Sequence, residues 1–359
     1  MVHPVVAMAR RPVQRRRNAE RLRQGSPAAI RQEGFRNVNG VEQWVTVRGE
    51  DRTNPLLLLV HGGPGSSYTP FNAWLTDWER HFTLVQWDQP GAGRTFQRAG
   101  RTGPADLTLD ALAGHGIELV RQLCADLGHR RVILLGSSVG SVIGLLMARR
   151  HPELFAAYVG TNQNAPGGER EAYRLVLRAA RERGDRRGLR LLERIGPEPS
   201  AWTGEQRHDL DKAAIRVTTG VPDMVADLML PALMYDPRCT FADLRDYQRA
   251  MSWSMHRLHP QLQAVDLAAL GHQAAVPVCF VHGAADIITP LEPVRRLAAG
   301  MRAPHVDLAV VDGAGHLVEF ARSQQVLTEL VSRVRPYAVD GPDDQPTGAV
   351  RSSIVTRPS

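Results

Sequence analysis

Three stretches of the chain carry residue types that together make a nucleophile and its helpers. Gly136-Ser137-Ser138-Val139-Gly140 lies between an apolar run, Val132–Leu135, and a helical pattern that continues through Arg150. A serine at the centre of Gly-x-Ser-x-Gly between strand and helix sits in a strained turn, and the following helix aims free N–H groups at it. Ser138 is that central residue; Ser137 is the wrong serine on spacing. Asp286 ends His282-Gly283-Ala284-Ala285-Asp286 after the apolar run Val276–Val281, and His316 ends Asp312-Gly313-Ala314-Gly315-His316 after Val306–Val311. An imidazole that takes the serine proton, backed by an acid that fixes its tautomer, gives acyl transfer to Ser138 followed by release to water. Asp312 is the rival acid. Four residues before His316 on the same loop, it is poorly placed to reach the far side of the ring.

His61-Gly62-Gly63-Pro64-Gly65 follows a further apolar run, Leu56–Val60. Paired glycines let the backbone turn its amides inward without a Cβ in the way. The amides of Gly63 and Val139 are therefore the expected pair of donors to a developing oxyanion. His61, among turn-formers and ahead of the elbow, reads as structural.

These residues must be brought together by the elements between them. Val41–Val47 alternates as an antiparallel strand should, and Leu56–Val60, Thr83–Trp87, Val132–Leu135, Phe155–Gly160, Val276–Val281 and Val306–Val311 read as strands. Helical spacing is expected over Phe71–Arg80, over Leu107–Leu127 with Asp106 or Thr108 as cap, over Glu292–Met301 and over Ser323–Val334. Strands alternating with helices predict an α/β fold with a mostly parallel central sheet flanked by helices. Each candidate residue then stands beyond the C-terminal end of a strand, where loops converge.

Between Phe155–Gly160 and Val276 the strand pattern stops, and helical pattern broken by prolines replaces it. The expected organisation is a basic, disordered or loosely helical lead over 1–36, a core over 37–163 and 271–336, a helical cap inserted over 164–270, and a disordered tail over 337–359.

Composition bounds the function. The chain has 359 residues and a formal charge of +7. Residues 1–31 hold eight arginines against Glu20 alone, which is itself +7, so the basicity belongs to the lead and no nucleic-acid partner is expected. No run of eighteen apolar residues exists, so no membrane-spanning helix is expected. Three cysteines, widely spaced and odd in number, form neither a disulfide framework nor a zinc site. No secretory signal pattern opens the chain, and a cytoplasmic location is expected.

At these residues the chain resembles the proline iminopeptidase-related branch of the α/β hydrolases. The likeness rests on HGGPG, on Asp88-Gln89-Pro90-Gly91-Ala92-Gly93-Arg94-Thr95, on GSSVG and on GAGH before the last helix, and spans about residues 41–335. It implies the α/β-hydrolase fold, a helical cap over the site, no cofactor or metal, and hydrolysis of an amide or ester with a small acyl group on a small-molecule or short-peptide substrate. Two positions depart from the family pattern: Val139 stands where Trp usually follows the nucleophile, and Pro90 stands where Arg is usual. The family holds its substrate amine with acidic cap residues, for which Glu169 and Glu171 are candidates by location. An esterase, or a biosynthetic cyclase or binding protein on the same fold, is the alternative.

Overall fold

Every side chain of Leu56–Val60 is buried because that strand lies inside a sheet covered on both faces. The computed structural model describes residues 4–99 and 107–339. Its eight strands are β1 (Ile30–Val38), β2 (Val41–Gly49), β3 (Leu56–Val60), β4 (Thr83–Trp87), β5 (Val132–Ser137), β6 (Phe155–Thr161), β7 (Val278–Gly283) and β8 (Val306–Val311). They run in the order β1-β2-β4-β3-β5-β6-β7-β8. β1 and β2 pair antiparallel, as do β2 and β4, and all remaining pairs are parallel.

The side-chain alternation of a strand divides β3 between two cores. Leu56, Leu58 and Val60 pack with Trp87, Leu134 and Ile143 on one face. Leu57 and Leu59 pack with Leu135, Phe71 and Trp78 on the other. From β3 the chain steps to β4 on one side and then to β5 on the other. The C-terminal ends of β3 and β5 therefore flank a topological switch point, where an open α/β sheet leaves a crevice.

The helices are α1 (Pro4–Arg23), α2 (Gly93–Ala99), α3 (Leu109–Leu127) and α4 (Val139–Arg150), then α5 (Gly168–Glu182), α6 (Arg186–Ile195), α7 (Gly204–Val217), α8 (Leu230–Tyr235), α9 (Phe241–Ala264) and α10 (Leu267–Leu270), all six between β6 and β7. After β7 come α11 (Leu291–Gly300), α12 (Val318–Ala321), α13 (Ser323–Glu329) and α14 (Pro336–Val339). Thr108 caps α3 by accepting from Ala111 N at 2.9 Å; the other expected cap, Asp106, lies outside the described residues, as does the tail from 340, while residues 337–339, expected to be disordered, belong to α14. The inserted helices α5, α6 and α7 share a small core of their own, including Tyr173, Val176, Leu192, Trp202 and Leu210. None of the described helices is long and apolar enough to cross a membrane.

Three expectations need correction. The lead over 1–36 is not disordered where it is described: it is helical in α1, one of the two expected states, and then enters the sheet as β1, which was not expected. β1 is an edge strand with only Ile30 and Val38 buried, so it carries no apolar alternation, although Asn39-Gly40, with φ of 52° and 79°, is a strong hairpin turn signal. α1 is held by polar groups. Arg11 donates to Met234 O (3.2 Å) and Cys239 O (3.0 Å), Arg15 to Pro237 O (2.6 Å) and Cys239 O, and Asn18 to Tyr235 O (3.0 Å). These carbonyls lie at and beyond the C-terminus of α8, where a helix lacks internal donors and favours cations. The Phe71–Arg80 pattern gives two short 3₁₀ segments, Thr69–Trp74 and Trp78–Arg80, rather than a helix. Asn72 there is buried and bonded to Thr46 and Gln86 of the sheet, which holds the segment against it. β7 begins at Val278 rather than Val276 because Pro277 has no N–H for the ladder.

The seat of α1 predicts a stability effect. Arg15→Ala removes two charge-assisted bonds from carbonyls and is expected to destabilise the chain by about 1–3 kcal/mol. A thermal melt unchanged from the native chain would show that the Arg15 bonds do not stabilise the fold.

Candidate active site

Ser138 follows β5 and caps the start of α4 with φ 53° and ψ −124°, a conformation that costs an L residue free energy and persists only where the surroundings enforce it. Its N–H donates to Thr161 O at 3.1 Å. Its side chain makes no cap bond to the helix it starts. The elbow is crowded against the loop after β3: a Cβ on Gly140 would lie 2.0 Å from Val60 O, and one on Gly62 would lie 2.7 Å from Ser138 Cβ. Only glycine fits at either place. The same imaginary atom on Gly62 would be 3.2 Å from Val139 N, so the Gly62-Gly63 backbone runs beside the first amide of α4.

The Asp88–Thr95 stretch holds that loop in place. Asp88 is buried and accepts from Ser67 Oγ, from Thr69 Oγ1 at 3.2 Å and from Arg94 N at 2.8 Å. Gln89 donates its side-chain amide to His61 O at 3.0 Å, and its backbone N–H to His61 Nε2 at 3.3 Å. Burial lowers the His61 pKa to about 4, so the ring is neutral and both its nitrogens serve the loop.

At the ends of β7 and β8 the structure brings Asp286 and His316 together. Asp286 Oδ2 lies 2.8 Å from His316 Nδ1, and the same carboxylate accepts from Ile288 N (2.9 Å), Thr289 N (2.9 Å) and Thr289 Oγ1 (2.8 Å). Burial alone would raise the Asp286 pKa, but the charge and hydrogen bond of His316 and the Thr289 amide bring it to about 2. For His316 the signs reverse: burial lowers its pKa, and Asp286 more than offsets that, holding it above the ordinary imidazole value. Asp312 is exposed and makes no hydrogen bond to the ring. Both hydrogen bonds of His316 use Nδ1, and none joins Ser138 Oγ to the ring among the described residues. Ser138 thus shares the sheet edge with the Asp286–His316 pair without a hydrogen bond to it.

The inserted helices reach this edge. Ser254 of α9 donates to Gly91 O at 2.8 Å, Tyr247 meets Ser66 Oγ, and a Cβ on Gly65 would lie 2.8 Å from Ala250 O. A cavity of about 20 Å³, room for roughly one water, adjoins Asp286 and His316. Its apolar lining includes Ile215, Val221, Met224, Ile287 and Ile288. Glu169 is not free: its carboxylate meets Arg207 at 2.8 Å, and Asp211 meets the same guanidinium at 3.0 Å. Glu171 pairs with Arg174 instead, on an exposed face. Among the described residues no group of three or more His, Cys, Asp or Glu is arranged to hold a metal ion.

Sequence reasoning missed Thr289 and the buried group Tyr68, Ser137, Asn162 and Glu319 behind the elbow. Glu319 had a signal: a lone acid in the apolar run Leu317-Val318-Glu319-Phe320, three residues after His316.

A family model described as the α/β-hydrolase fold matches residues 55–184. A probable aminopeptidase, YbaC of Bacillus subtilis, is 26% identical over 279 residues, covering 75% of this chain and 85% of its own length. A probable proline iminopeptidase of Streptomyces coelicolor is 36% identical over 126 residues, or 34% of this chain and 38% of that protein. Among solved structures, the proline iminopeptidase-related protein of Thermus thermophilus aligns with a TM-score of 0.55 at 20% identity, covering 86% of this chain and 98% of that one. At that identity the likeness is one of fold.

Proposed function

The chain is an α/β hydrolase by fold, related to the proline iminopeptidase branch, and from this premise we propose that it is a serine hydrolase acting through Ser138, His316 and Asp286. The observation that carries the reading is the 2.8 Å bond between Asp286 and His316 at the sheet edge that also presents the strained, uncapped Ser138. In this reading Asp286 holds the proton of His316 on Nδ1, which leaves Nε2 as the base. Nε2 takes the Ser138 proton as Oγ attacks a substrate carbonyl, and the amides of Gly63 and Val139 receive the oxyanion. His316 returns the proton to the leaving group, and water, deprotonated in the same way, releases the acyl group. The apolar walls near His316 favour an apolar acyl group. The inserted helices act as a cap that excludes bulk water, and the free thiols of Cys124, Cys239 and Cys279 suit a cytoplasmic enzyme.

An aminopeptidase is favoured over an esterase by the charge beside the site. Glu169 and Asp211 share one guanidinium, which leaves the cluster one negative charge in surplus. Arg207 also reaches Ile288 O at 3.4 Å, next to the cavity wall, and His316 feels the Asp211 charge. A substrate ammonium is stabilised there and a neutral ester is not. The name of the Bacillus subtilis relative, a probable aminopeptidase, points the same way. Asp211→Asn neutralises the surplus and is expected to raise KM for aminoacyl amides by about tenfold, with little change for uncharged acyl esters. A panel of both substrate types measures this. Equal effects on the two, or esters preferred throughout by the native chain, would favour the esterase reading.

A further inference from the structure

A carboxylate lies buried behind the nucleophile elbow, and the triad chemistry does not use it. Glu319, on α12, is fully buried and has no Arg or Lys partner among the described residues. Its Oε1 accepts the Ser137 hydroxyl at 2.6 Å, and its Oε2 accepts Asn162 Nδ2 at 2.7 Å. Ser137 Oγ also receives Asn162 Nδ2 at 3.1 Å and meets the Tyr68 hydroxyl at 3.0 Å. Asn162, with φ 46°, accepts from Val318 N at 3.3 Å and so straps the end of β6 to α12. Tyr68 is 3% exposed, and Ser137, Asn162 and Glu319 are 0% exposed.

We propose that Glu319 is a positioning residue of the active site: through Ser137 and Asn162 it pins the elbow that presents Ser138, and its charge backs the His316 imidazolium. The proposal rests on the reading of Ser138 as nucleophile. Two arguments carry it. The conformation of Ser138 must be enforced by its surroundings. Its own N–H is fixed by Thr161 O, while the hydroxyl of the residue before it is fixed by Glu319, its shortest partner, together with Asn162 and Tyr68. The second argument is electrostatic. Ser137 and Asn162 can both donate to the Glu319 carboxylate, one to each oxygen, which is what an ionised group needs. Burying such a group without a cation is costly, and burial does raise its pKa. Tyr68 and His316 are the titratable groups facing it, and only His316 can carry a positive charge. His316 is faced in turn by Asp286, Asp211 and His282. Glu319 therefore gains most when His316 holds the proton of Ser138, at the moment of attack.

The test is the rate at which a fluorophosphonate modifies Ser138 of the full chain, followed against pH. A native chain that does not react defeats the Ser138 reading itself, before any variant is compared. Given a reactive native chain, Glu319→Ala is expected to react about tenfold more slowly or worse, because the elbow is released. Glu319→Gln keeps the shape and can keep one bond to each neighbour. It is expected to recover most of the rate, while the acid limb, where His316 becomes protonated, moves to lower pH by about half a unit. The direction follows from removing a negative charge that favours the imidazolium. Should Glu319→Ala fail to fold by circular dichroism, the Glu319→Gln limb decides alone. An unmoved limb in Glu319→Gln makes the group merely structural and overturns the proposal, as does a native rate in a folded Glu319→Ala chain.

Discussion

Asp286→Asn is expected to leave the chain folded and to cut turnover by roughly 10³–10⁴-fold. The asparagine oxygen can still accept from the Ile288 and Thr289 amides, which now bond Asp286 Oδ1. Its NH₂ must then face His316 Nδ1 in place of Oδ2. A donor at that point stabilises the tautomer with the proton on Nε2, which can no longer take one from Ser138. Asp312→Asn changes an exposed group with no contact to the ring and is expected to stay within about twofold of native. Reversed effects would transfer the role to Asp312. The pH profile carries the same sign. Asp286, at about pKa 2, stays ionised through the working range, while its charge holds His316 above its ordinary pKa. Activity in the native chain falls as pH drops through that raised value, and the limb moves to lower pH in Asp286→Asn.

The parts of this molecule that were legible in its sequence are those written in side-chain hydrophobicity and in turn chemistry. Leu56–Val60 and Val132–Leu135 announce buried strands because both faces of each are covered, and a glycine-flanked serine after one of them announces the elbow. Asp286 and His316 follow because loops after parallel strands meet at one edge, and the structure brings the two into contact. What stayed hidden is held by polar groups bonded to backbone. α1 binds through Arg11, Arg15 and Asn18 to carbonyls at and beyond the end of α8, a mode that leaves no periodicity in the sequence. The pairing of Glu169 with Arg207 joins α5 to α7 across 38 residues, and no local pattern encodes it, whereas Arg207 and Asp211 are a turn apart on α7. Phe71, Leu75 and Trp78 have helical spacing, yet they reach the core from irregular turns, because burial constrains side-chain direction more strongly than backbone class.

Ser138→Ala is expected to have the largest effect of any single change, a loss of roughly 10⁶-fold in turnover, because no other group can carry the acyl intermediate. Ser137→Ala should be far milder. Ser137 is fully buried with its hydroxyl bonded to Glu319, so under the proposed mechanism it supports the elbow and does not meet substrate. The distinction between these neighbours is the central claim, and one measurement reaches it directly. In a fluorophosphonate reaction the serine oxygen bonds to phosphorus, fluoride leaves, and the serine proton passes to the histidine. Mass spectrometry of the labelled, digested chain is predicted to find the adduct on Ser138 alone, and to find none on the Ser138→Ala chain. An adduct on Ser137, or unmodified Ser138 in a preparation that hydrolyses its substrate, would contradict the account.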